Sequence, residues 1–233
     1  MFRHAGVQAG LPVRSHEVMA LPDPFRGGGR FCEKNRHLAF WQAELYLGST
    51  VAATMPRLTP EEIRQRFANS HDFNELFDAF EDAIVQGIQD VELYRLLFWN
   101  TALSPEELCM FGEKLAKEFQ GIAYEIYMWL AHVFEVTYSS YDNFELAVRY
   151  YQKATKVRPE ESDPYLNAAD CYDPDLNIPP SAVLLPWMKD GVRRVTNKKI
   201  LLERLSYLYQ MIGDDEQSAY YRNLADDLGR IKN

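Results

Sequence analysis

From residue 59 onward, apolar side chains recur at intervals of three and four, the period of a helix with one buried face. Phe73, Leu76, Phe77, Phe80 and Ile84 share such a face, and Gly87 is placed to end that helix. Val91, Tyr94, Leu97 and Phe98 begin a second, while Leu108, Phe111, Leu115 and Phe119 continue a third as far as Gly121. Further helices are predicted over residues 122–138 and 143–157, with Pro159 as a stop. Two start signals are well formed: Thr59-Pro60-Glu61-Glu62 and Ser104-Pro105-Glu106-Glu107. Each offers a hydroxyl cap, a proline at the first helical position, and a glutamate three residues after the cap. Period-two alternation is nowhere sustained, so strand content should be near zero.

The chain before residue 55 reads differently. Leu11-Pro12, Leu21-Pro22-Asp23-Pro24 and Gly27-Gly28-Gly29 interrupt any regular element, and only residues 38–47 (LAFWQAELYL) look helical. Residues 1–54 carry 6 Lys and Arg against 4 Asp and Glu, a net of +2, whereas the remainder carries 19 against 30, a net of −11. A poorly ordered leader over 1–54 is the simplest expectation. A targeting peptide fits less well, because no long apolar core follows Arg3 and Arg14. A third reading starts the native protein at Met55, just ahead of the helix that Thr59 caps. The folded domain is expected over 55–233.

Short helices joined by brief turns invite a search for repeats. Tyr138 and Tyr172 lie 34 residues apart, and Tyr209 follows after 37. Between the first two stand Ala147, Tyr151, Ala154 and Pro159, at relative positions 0, 4, 7 and 12. Tyr165, Ala169 and Tyr172 supply the next unit; Leu202, Leu205, Ser206, Tyr209, Gly213 and Asp214 supply the last. This pattern resembles the tetratricopeptide (TPR) repeat over about residues 122–228, and more weakly back to about 88. The resemblance implies an all-α fold: a right-handed α-solenoid of about three to four antiparallel helix pairs. Small residues such as Ala147, Ala154 and Ala169 would let helices cross closely, with aromatics filling the holes beside them. The repeats are degenerate. Ala131 occupies the Trp position of the best unit, residues 173–180 lengthen a turn, and residues 181–195 match poorly as a second helix. A plain helical bundle is the alternative architecture.

Charge and chemistry narrow the function. With 25 Lys and Arg against 34 Asp and Glu, the net charge of −9 argues against nucleic acid and against an anionic membrane surface. No apolar run is long enough to span a bilayer. Cys32, Cys109 and Cys171 are widely spaced, which suits small buried groups in a reducing compartment; the expected setting is the cytoplasm, in a bacterial protein. Asp170, Asp173, Asp175 and Asn177 form the densest acidic cluster. A calcium loop beginning at Asp173 would need Gly and Glu where Ile178 and Leu184 stand, so a solvated turn is expected and no metal is assigned. His71 and His132 have no ligand-spaced partners, and Gly27-Gly28-Gly29-Arg30 lacks the ending of a phosphate loop. No catalytic residues or cofactors are assigned.

Binding is the stronger prospect. In TPR proteins, partners dock as extended peptides or single helices in a concave groove lined by the first helix of each pair. Carried across by position, that groove would be lined by Trp129, His132 and Val136, then Asp163, Leu166 and Asp170, then Glu203 and Tyr207. Arg95 and Trp99 extend it backward. Its acidic and aromatic mixture suits a basic or apolar peptide, and Asp163, Asp170 and Glu203 would repel an acidic tail. The expected function is therefore a non-enzymatic scaffold or adaptor for another protein. The alternatives are a homo-oligomeric structural subunit, and an all-helical enzyme or small-ligand binder with a closed pocket.

Overall fold

A computed structural model describes residues 58–137 and 141–230. The leader over 1–54, the helical run at 38–47 and the repeat position at Tyr138 lie outside the described residues. The described chain is all-helical. It contains α1 (Pro60–Asn69), α2 (Phe73–Val85), α3 (Val91–Phe98), α4 (Pro105–Glu118), α5 (Ala123–Thr137), α6 (Tyr141–Val157), α7 (Asp163–Asp170), α8 (Ser181–Gly191), α9 (Lys198–Ile212) and α10 (Asp215–Arg230). A short 3-10 turn, Gln120–Ile122, joins α4 to α5. There are more helices than three to four pairs would use, because α1 and α2 precede the segment over which the repeat is legible.

Local chemistry accounts for most helix ends. Glu62 N donates to Thr59 Oγ1 at 3.2 Å while Thr59 N donates to Glu62 Oε2 at 2.7 Å, a reciprocal cap. These bonds hold the Glu62 carboxyl below its ordinary value. Ser104 and Glu107 repeat the arrangement at the start of α4. Asp72 and Asp90 cap α2 and α3 more simply: the Asp72 carboxylate accepts from the amides of Asn74 and Glu75, and that of Asp90 from the amide of Glu92. Gly87 follows α2 at φ 69° and Gly213 ends α9 at φ 84°, left-handed values that cost a side-chain-bearing residue energy. Helix α8 stops at Gly191, short of the 181–195 expected from sequence, and turns through Val195, whose side chain is buried.

The packing follows a regular scheme. Helix α1 meets α2 and α3, and α3 meets α5; α7 meets α9. Each of α5, α7 and α9 also packs on the helix before it, and α5 and α9 pack on the helix after them as well. One continuous apolar core runs from Ile63 to Tyr209. Phe67, Phe80, Tyr94, Phe111, Phe134, Tyr150, Tyr151 and Tyr165 are all fully buried in it. Each such ring contributes roughly 1.5–3 kcal/mol by leaving water. Ala147, Ala154 and Ala169 are buried.

Among the described residues no strand occurs, only an isolated bridge inside the long turn after α7. Asp173 N donates to the Ile178 carbonyl at 2.7 Å, and Ile178 N returns a bond to the Asp173 carbonyl at 3.2 Å. Asp173 Oδ1 accepts from the amides of Asp175 and Leu176, and Asn177, at φ 51°, accepts from Ser181 N. The acidic cluster is thus a self-bonded turn, and among the described residues no group of three or more His, Cys, Asp or Glu is arranged to hold a metal ion.

Candidate functional site

The predicted groove residues fall on α3, α5, α7 and α9, and the fold gathers them into two groups. The first is aromatic. Trp129 and His132 sit three residues apart on α5, so their side chains are neighbours on one face. Trp99 ends α3, and its ring meets the imidazole of His132 edge-on at 6.1 Å. The Trp129 ring meets the same imidazole at 5.9 Å, so His132 stands between two tryptophans. The Arg95 guanidinium lies 5.5 Å above the Trp129 ring, a favourable cation–π distance.

Asn100 holds this group in place. Its side-chain amide donates to the carbonyls of Phe67 at 3.0 Å and Ser70 at 2.9 Å, while its Oδ1 accepts from Ala102 N at 2.9 Å. The end of α3, and with it Trp99, is thereby tied to the end of α1. Sequence reasoning passed over Asn100, which reads only as a polar residue at the close of a helix.

The second group joins α7 to α9. Asp170 forms an ion pair with Arg204, and both border an open cavity of about 480 Å³. Ala169, Tyr172, Ile200 and Met211 supply its apolar lining, with Glu203 and Tyr207 beside them. Tyr207 is 53% exposed and Ile200 37%, so the cavity opens among accessible apolar groups. Arg204 was not among the expected residues. It lies 34 positions from Asp170, and no spacing in the chain singled it out.

Val136, Asp163 and Leu166 belong to neither group. Val136 is exposed, and Leu166 packs partly against the core. Asp163 lies near Tyr124; there burial first, and the charges of Asp163 and Glu161 next, push the phenol up to about 12.

Several of the expected residues have an oppositely charged or acidic neighbour on the same helix. Arg95 Nε lies 2.8 Å from Glu92, His132 Nδ1 lies 3.7 Å from Glu135, and Lys199 Nζ lies 3.6 Å from Glu203. Glu135 also accepts a bond from the buried Tyr151 hydroxyl at 2.8 Å. These partners stand three or four residues away on the same helix and were readable from spacing. Cys171 is buried with its thiol pushed up by desolvation, and Cys109 is buried too, which suits neither to nucleophilic work. The arrangement offers aromatic contact and paired charge to a docking chain.

No protein-family model, curated protein or solved structure matches the chain. Among the described residues no helix is long and apolar enough to cross a membrane.

Proposed function

We propose that the chain is a TPR-like α-solenoid that acts as a non-enzymatic adaptor, binding a peptide or single helix of another protein across α3, α5, α7 and α9. One observation carries the reading. Trp99, Val136, Ile200 and Tyr207, all substantially exposed, stand on or at the end of α3, α5 and α9. Large apolar groups left in water are the kind of surface that a partner can cover. The contacts of α1 with α3, of α3 with α5 and of α7 with α9 support a solenoid reading, as does the packing of α5, α7 and α9 on the helix before each.

The test is affinity capture from native lysate with the full chain, comparing wild type with Trp129→Ala. A partner captured by wild type and lost on substitution supports the adaptor. A partner bound equally by both would overturn this choice of face.

A further inference from the structure

The α3–α5 face leaves a large ring in water. Trp99 is 39% exposed, the exposed imidazole of His132 meets it, and the partly buried Trp129 lies on the far side of that imidazole. The same chain carries a segment that water does not suit. Eight of the ten residues in 38–47 (LAFWQAELYL) are apolar, and Leu38, Trp41 and Leu45 recur at helical spacing, so the stretch calls for cover from another surface. Position brings that segment near Trp99. Leu58 is held at the start of α1, where its amide donates to Asp82 Oδ2 at 2.7 Å and its carbonyl accepts from Gln86 Nε2 at 2.8 Å. Trp99 stands at the other end of α1, because its neighbour Asn100 bonds the carbonyls of Phe67 and Ser70. The 10 residues of α1 make that separation about 15 Å. Residues 48–57 can reach about 33–36 Å when fully extended, ample for the crossing. Opposite net charges, +2 over 1–54 and −11 over the remainder, draw the two parts together.

We infer that residues 38–47 seat as a helix on the Trp99–His132–Trp129 face of their own chain, with Leu38, Trp41 and Leu45 toward the tryptophans. The inference rests on the reading of that face as a helix-binding surface, and it makes the leader the occupant that a partner must displace. Attachment favours the chain's own segment over a free one, since so short a tether holds it at an effective concentration of about a millimolar. A partner's apparent affinity then falls with the fraction of chains whose face is open. The rival seat is Val85, 60% exposed at the end of α2 and adjacent to Gln86, which bonds Leu58. It offers one small side chain, whereas the α3–α5 face offers two indoles and an imidazole.

The experiment follows amide exchange of the full chain by mass spectrometry at neutral pH. Amides of 38–47 should exchange at least about tenfold more slowly in wild type than in Trp99→Ser or in the double variant Trp41→Ser, Leu45→Ser. Val85→Ser and Tyr207→Ser, at exposed residues away from the seat, should leave that protection in place. Hydroxyl-radical footprinting reads the contact from the other side without altering any described helix: Trp99 oxidation should rise several-fold in the double variant. Unprotected 38–47 amides in wild type, protection that survives Trp99→Ser, or unchanged Trp99 oxidation in the double variant overturns the seat. So does protection lost on Val85→Ser or Tyr207→Ser, which would place the segment elsewhere. Protection that appears only as the chain dimerises also defeats it, because a second copy would then supply the segment. A lysate partner lost on Trp129→Ala, with 38–47 unprotected, would overturn the seat and leave the adaptor reading standing. Protection lost on Trp99→Ser, with no lysate partner even for the double variant, would uphold the seat and remove the adaptor.

Discussion

Replacing Gly112 by alanine probes the crossing of α4 and α5, which sets the position of Trp129 next to Leu130. A Cβ built on Gly112 would fall 2.2 Å from Leu130 Cδ1, 2.9 Å from its Cγ and 3.1 Å from its Cδ2. Carbon atoms in ordinary contact stand about 3.5–4.0 Å apart, so the isobutyl group must withdraw by more than an ångström. Leu130 is fully buried in the core, where close packing leaves little room to retreat. Overpacking of this kind costs about 1–3 kcal/mol. Alanine offsets part of that, since it is more favourable than glycine inside a helix by about 0.8–1.0 kcal/mol. The expected net effect is a loss of about 1 kcal/mol, bounded by nearly zero and about 2. Urea denaturation followed by far-ultraviolet circular dichroism measures it, with Gly121→Ala as control, because a Cβ there meets nothing closer than Gln89 Oε1 at 3.7 Å. A cycle through Leu130→Ala should show coupling between the two sites, the Gly112→Ala cost vanishing when Leu130 is truncated. Stabilisation by the full propensity gain, or a cycle without coupling, would refute the close approach of α4 to α5.

Three further outcomes are expected. Ala154→Leu should lower stability by about 1–3 kcal/mol, because Ala154 is fully buried in α6, at a small position of the proposed repeat; an unchanged urea midpoint would count against that register. Asn100→Ala strips the side-chain partner from the Phe67 and Ser70 carbonyls and should cost about 1–3 kcal/mol, together with a change in tryptophan fluorescence as Trp99 loses its anchor. Tyr94, Tyr124, Tyr127, Tyr151, Tyr165 and Tyr221 are all held above their ordinary value, burial being the first cause for each. Because folding favours their neutral form, their contribution is complete below the ordinary tyrosine value near ~10 and is lost as pH rises through the folded values, about 12 for Tyr124. Tyrosinate absorbance should therefore reveal a lagging class that ionises as helical signal disappears, and titration of every tyrosine together with the helices intact would contradict it.

What the sequence determined by itself is what depends on near neighbours. Thr59 with Glu62 and Ser104 with Glu107 meet across three residues, so their caps form wherever a helix starts there. Gly87 and Gly213 end their helices for an equally local reason, the left-handed backbone each adopts. Apolar spacing likewise marked Leu76, Phe80, Leu108, Phe111 and Leu115 as core, because one face of each helix had to leave water. The candidate groove was legible only as a set of positions on separate helices. Tertiary structure decided which of them meet. His132 stands between Trp99 and Trp129 because α3 crosses α5, and Asp170 reaches Arg204 because α7 crosses α9. It also set Val136, Asp163 and Leu166 apart from either group. A helix's own period specifies which residues share its face, but the angle and register at which two helices cross depend on side chains from both. Contacts made across a crossing, and the cavity between α7 and α9, therefore exist only once the packing is complete.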